Sequence, residues 1–190
     1  MRVFYEWFFT ALWFAYIVYW QIAAANVKAT QRVESVGSRI TRSILFLIAI
    51  ALFFLPHIPM PWLYRHFLSE GLASFWSGAV ITLAGLLFSV WARIHLGTNW
   101  SRSVTIKQNH ELITSGPYAL VRHPIYTGLL TGFLGSAIAT TEYRGLVAFA
   151  LVFISLWYKL RLEEKWMRAQ FGETYISYSR RVAGLVPFLL

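Results

Sequence analysis

Five apolar stretches, residues 3–25, 43–63, 72–95, 124–140 and 145–158, alternate with short polar connections along this chain. About 20 apolar residues in helical form cross the ~30 Å hydrocarbon core of a bilayer, so the pattern predicts an all-α polytopic membrane bundle of about five transmembrane helices. The last two stretches are short: at ~1.5 Å per residue, 124–140 covers only ~25 Å. They are expected to form a tight hairpin that turns at residues 141–144. Pro56, Pro59 and Pro61 interrupt the second stretch, so its helix must end near Leu55 or kink. The first run exceeds the ~7–15 residues of a secretory signal, has Glu6 near its start and carries Trp7, Trp13 and Trp20; it reads as a retained span.

Composition agrees with a surface that faces lipid. Of 190 residues, 57% are hydrophobic and only 13% charged, against about a quarter charged in an ordinary soluble domain. The net charge of +9 does not point to nucleic acid, because the basic residues lie between apolar runs instead of forming one patch. Thirteen Lys and Arg fall within residues 26–42, 97–123 and the region after Tyr158, whereas Arg2, Arg65 and Arg144 fall on the opposite side of the expected membrane. That bias predicts an outside N-terminus and a cytoplasmic C-terminus, in a plasma or inner membrane of a prokaryote or the endoplasmic reticulum of a eukaryote. The absence of cysteine removes disulfides, thiol nucleophiles and Cys-ligated metals. No Gly-x-Gly pair occurs among the 12 glycines, which excludes a dinucleotide-binding turn and a P-loop. The five histidines lack HExxH spacing and have no Asp or Cys companions, so no metal site is expected.

The chain changes character after His95. Residues 1–96 hold three closely spaced spans, while residues 97–190 combine a polar loop, the hairpin and a charged tail, and form the expected catalytic half. Within the tail, residues 162–181 are expected to make one or two helices lying at the membrane surface. Arg122 and His123 precede Pro124, a residue suited to the first turn of the fourth helix. The free N–H groups of that turn, with Arg122 and His123, make an anion site, or else Arg122 is an ordinary positive-inside anchor and His123 an interfacial residue. Glu163 and Glu164 follow the fifth span, where a carboxylate needs a partner or a polar cavity. Adjacent helical residues diverge by ~100°, so one Glu faces a site while the other pairs with Lys165 or Arg168, or the two form a charged collar. Gly128, Gly132 and Ser136 form a small-residue face for helix packing.

Taken together, His110-Glu111-Leu112-Ile113, Gly116-Pro117-Tyr118, Arg122-His123-Pro124-Ile125-Tyr126-Thr127-Gly128, Glu163-Glu164 and Phe171-Gly172 with Tyr175 and Tyr178 resemble the isoprenylcysteine carboxyl methyltransferase family. The resemblance covers about half the chain, from His95 to Pro187. It implies an integral membrane enzyme that uses S-adenosylmethionine without a Rossmann domain. It further implies a cofactor site of Lys107, His110, Glu111, Leu112, Ile113, Tyr118, Arg122, His123, Pro124, Ile125, Tyr126 and Glu163. The acceptor is implied to be a lipid-modified substrate that enters from the bilayer, its carboxylate held by a basic residue one turn before Glu163. That position is Lys159 where Arg is expected, so either Lys159 or Arg161 takes the part, without the bidentate fork if it is Lys. Three other readings compete: a phospholipid amine methyltransferase, whose acceptor would need Glu163 or Glu164 as base, a sterol-type reductase, and a membrane protein without catalysis.

Overall fold

The computed structural model describes residues 2–24, 30–55, 57–100, 105–107 and 111–187. These form six α-helices: α1 (Arg2–Ala23), α2 (Val36–Phe54), α3 (Leu72–Leu96), α4 (Pro124–Thr140), α5 (Tyr143–Phe171) and α6 (Glu173–Arg181). Among the described residues, Val36–Phe53, Leu72–Asn99 and Tyr143–Phe171 are long and apolar enough to cross a membrane, and α1 contributes the shorter apolar segment Trp7–Ala23. Leu47, Val80, Leu87, Trp91, Ile154 and Trp157 are exposed on the flanks of the long helices, a distribution suited to lipid contact.

Two helices run beyond their apolar stretches. α2 starts at Val36 because the Ser35 hydroxyl accepts the Ser38 N–H at 3.3 Å, a side-chain cap ahead of the hydrophobic run. It ends at Leu55, whose backbone is extended, as the residue before Pro56 must favour. α5 is one continuous helix to Phe171, which corrects the expectation that residues 162–181 lie apart from the fifth span. Its turns beyond the apolar run stay packed because Leu160, Glu164 and Trp166 are buried. Only α6, after Gly172, is a separate helix.

α3 and α4 pack through glycines spaced by seven residues. A Cβ on Gly78 would lie 2.5 Å from the Gly135 carbonyl oxygen, and one on Gly85 would lie 2.6 Å from that of Gly128. Such contact leaves no room for a side chain. The expected face of Gly128, Gly132 and Ser136 does meet α3: a Cβ on Gly85 would lie 2.7 Å from Gly132 N, the Thr82 and Ser136 hydroxyls are 3.3 Å apart, and Gly135 extends the face. α1 is tied to this pair by side-chain hydrogen bonds: Trp13 Nε1 donates to Ser136 Oγ at 3.0 Å, the Tyr16 and Ser89 hydroxyls meet at 2.7 Å, and the Arg93 guanidinium bonds the Ala23 carbonyl. Across the bundle, α2 and α5 bury Ala49, Leu52, Ala148, Val152 and Leu156 with Phe133 of α4.

Both ends of the bundle are laced together. At one end, β1 (Thr30–Val33) and β2 (Thr105–Lys107) form a short antiparallel ribbon joining the α1–α2 and α3–α4 connections. At the other, Thr141 turns the hairpin with φ 59°. Its carbonyl accepts the Phe67 N–H at 2.9 Å, and Tyr143 N–H donates to Arg65 O at 3.0 Å, so the α2–α3 connection closes over the turn.

Candidate active site

A cavity of 1680 Å³ runs through the bundle between α1, α2, α4 and α5. It exceeds the ~300–1,000 Å³ of a site for one small ligand. Its character changes along its length. Trp13, Phe46, Phe53, Leu129 and Phe133 line an apolar lane, and Glu34, Arg42, His123, Tyr126, Lys159 and Glu163 line a polar chamber.

The chamber depends on how the start of α4 is held. The strand-like backbone before Pro124 pairs with the C-terminal segment: Arg122 N–H donates to Ala183 O at 2.8 Å, and His123 N–H to Gly184 O at 3.1 Å. The Arg122 side chain fastens the same junction. Its Nε lies 2.8 Å from Glu164 Oε1, Nη1 donates to Ser179 O at 2.9 Å and also bonds the Val182 carbonyl. A cation on the last carbonyls of α6 answers acceptors that no intrahelical N–H can reach. Tyr178 completes the clamp by donating to the Tyr118 carbonyl at 2.6 Å.

Glu163 and Glu164 diverge as adjacent helical residues must. Glu164 is committed to Arg122, with Arg168 Nη2 3.7 Å from its other oxygen. Glu163 faces the chamber, where Tyr126 Oη donates to its Oε1 at 2.6 Å and Lys159 Nζ stands 3.8 Å away. Lys159 also sits 5.1 Å from the Tyr126 ring centroid. The His123 ring stacks with that of Tyr126, centroids 5.4 Å and planes 6° apart. Its ring nitrogens lie 3.6 Å from Glu163 and 3.5 Å from Glu164. Burial disfavours the imidazolium, but the two carboxylates outweigh it and raise His123 above its ordinary value. Tyr118 is raised by burial and further by the Glu163 charge, which keeps it a neutral phenol.

Of the residues singled out in the sequence, Glu111, Leu112, Ile113, Tyr118, Arg122, His123, Pro124, Ile125, Tyr126, Lys159 and Glu163 all line this one cavity. Lys107 contributes backbone to β2, and His110 lies outside the described residues. Arg161 is not brought to the chamber: it is exposed, its guanidinium 5.7 Å from the Trp157 ring centroid on the opposite face of α5. Sequence reasoning missed Glu34 and Arg42, whose only signal was charge beside an apolar run. Trp166, Tyr175 and Tyr178 also line the cavity, although the tail was expected to lie apart.

Membrane-crossing helices surround a polar chamber that continues into an apolar lane, and the similarity to known proteins makes the class an integral membrane methyltransferase. A family profile described as phospholipid methyltransferase matches residues 73–174, and the chain belongs to that family. Protein-S-isoprenylcysteine O-methyltransferase B of Arabidopsis thaliana is 28% identical over 150 residues, covering 77% of this chain and 71% of the plant protein. The cobalt-zinc-cadmium resistance protein CzcN of Cupriavidus metallidurans is 32% identical over 117 residues, 60% of this chain and 52% of that protein. The solved structure of the eukaryotic intramembrane Ras methyltransferase, isoprenylcysteine carboxyl methyltransferase, aligns with a TM-score of 0.53 at 23% identity, over 80% of this chain. This chain spans about half, 51%, of that one, and the likeness is one of fold. The resemblance read from the second half of the sequence is borne out by these matches.

Proposed function

We propose that the protein transfers a methyl group from S-adenosylmethionine to a carboxylate on a lipid-modified acceptor such as a C-terminal isoprenylcysteine. The observation that carries this reading is the placement of Lys159 and Glu163, one helical turn apart on α5, in the chamber that continues into the apolar lane. The donor set suits a cofactor that is cationic at sulfur and at its amino group: Glu163 and Glu111 supply carboxylates, and Tyr118 and Tyr126 supply aromatic faces. Bound there, the cofactor supplies an electrophilic methyl group. The chain's own residues do the rest by orientation. Lys159 aims an acceptor carboxylate, which is already ionised at neutral pH and needs no base. Burial of the chamber strips hydration from that carboxylate, and helices α1, α2 and α4 hold the lipid chain. Arg122, committed to Glu164 and the end of α6, positions the α4 start rather than touching a ligand.

The polar chamber opens to the cytoplasm in this reading, as the distribution of Lys and Arg favours. Methylation of a lipid amine is the second reading, and the buried Glu34 and half-buried Glu163 carboxylates lining the chamber are what favours it. Purified protein given radiolabelled S-adenosylmethionine and either a prenylcysteine or phosphatidylethanolamine separates the two. Label in the base-labile ester of the first supports a carboxylate acceptor; label only in the lipid amine replaces it.

A further inference from the structure

We propose that Arg42 of α2 is a second substrate-binding cation, which holds the acceptor carboxylate together with Lys159; this rests on the carboxylate reading above. The two side chains come from different helices and line the same chamber. Their helices are pinned to each other there, because Ser155 Oγ, one turn before Lys159 on α5, donates to the Arg42 carbonyl at 3.4 Å. The Arg42 guanidinium bonds the Glu34 carboxylate through one arm, and Glu34 is steadied by Ser38 Oγ at 2.8 Å. The Nε of Arg42 is buried and has no hydrogen-bond partner among the described residues.

A buried ion pair is seldom kept for stability alone, since desolvation offsets most of its attraction. An orphaned guanidinium N–H makes it costlier still. Both observations find a reason if an anion completes the donor set. The acceptor chemistry asks for such a donor. One carboxylate oxygen must be left open for methylation, so the other must be held in a fixed direction. Lys159 provides a point charge on a flexible stem, whereas a guanidinium provides planar, directed donors. Arg42 supplies the direction that an ammonium lacks, and Glu34 fixes the guanidinium plane.

The test measures binding of an N-acetylated S-prenylcysteine and of its carboxamide to the S-adenosylhomocysteine-loaded protein, with methyl transfer to the acid followed in parallel. Arg42→Gln should lower the preference for acid over amide by roughly tenfold or more, the scale of a lost charged hydrogen bond. Arg42→Lys should lose less than Arg42→Gln, and cofactor affinity should stay within about twofold in both. Should Arg42→Gln fail to fold, Arg42→Lys carries the test alone through the same ratio, expected to fall severalfold. An unchanged acid-to-amide preference in a folded variant overturns the inference, as does an equal loss for acid and amide, which would mark Arg42 as a packing residue. Absence of carboxylate methylation by the unaltered protein overturns the underlying reading, and the inference with it. Carboxylate methylation that persists with an unchanged preference in Arg42→Gln overturns the inference alone.

Discussion

Glu163 and Glu164 carry the same chemistry into different surroundings, and their substitutions should separate accordingly. Glu163→Gln removes the carboxylate that Tyr126 and Lys159 surround. It should weaken S-adenosylhomocysteine binding by ~1.5–3 kcal/mol, the range for a charged hydrogen bond, with little change in melting temperature. Glu164→Gln instead leaves the Arg122 guanidinium buried against the α6 carbonyls without its counter-charge. It should cost about 3 kcal/mol of stability, seen as a lower melting temperature in detergent. Equal affinity losses from the two would contradict the division. His123 adds a pH dependence with a definite sign. Its folded-state value is raised by Glu163 and Glu164 despite burial. Its contribution to stability is therefore complete below the unfolded value of about 6.5 and is lost as pH rises through the folded value. Melting temperature should fall as pH rises from about 6.5 through the raised folded value, and His123→Gln should flatten the fall.

At the scale of elements, the hairpin was legible because Pro124 fixes one helix start and the polar residues 141–144 fix the turn; α4 occupies the residues expected of it. The end of α2 was legible for the same reason, a proline at 56. What could not be read was the continuation of α5. Glu163, Glu164, Lys165 and Arg168 look like a solvated tail, and only the Arg122 clamp and the buried Trp166 reveal that this segment belongs to the bundle. The β1–β2 ribbon was equally hidden, because strands of three or four residues carry too little alternation to register. Arg42 had the signature of an interfacial anchor, and its place opposite Lys159 is a long-range fact of packing. The α3–α4 contact is testable as an element. Gly85→Ala would put a Cβ 2.6 Å from the Gly128 carbonyl oxygen, and the helices must part to admit it. Overpacking of this kind costs about 1–3 kcal/mol. Gly37→Ala, where a Cβ meets nothing within 4 Å, should leave the melting temperature unchanged or higher.

In the whole molecule, the connections that carry the charge bias converge on one end. The ribbon joins the α1–α2 connection to that following α3. The pairing of Val121 with Ala183 joins the start of α4 to the segment after α6. The opposite end holds the α2–α3 connection and the hairpin turn, joined by the His66–Glu142 bridge. We propose, from the positive-inside rule, that the end carrying the basic connections and the polar chamber faces the cytoplasm. The proposed orientation would let a water-soluble cofactor arrive from the cytoplasm while a lipid chain stays in the apolar lane. Because the chain has no cysteine of its own, single Cys probes report cleanly. Ser177 on α6 and Ser69 before α3 are both exposed and lie at opposite ends. In intact cells, a membrane-impermeant maleimide should label Ser69→Cys and spare Ser177→Cys until the membrane is permeabilised. The reverse pattern would put the chamber on the far side, out of reach of a cytoplasmic methyl donor, and would require a different source for the transferred group.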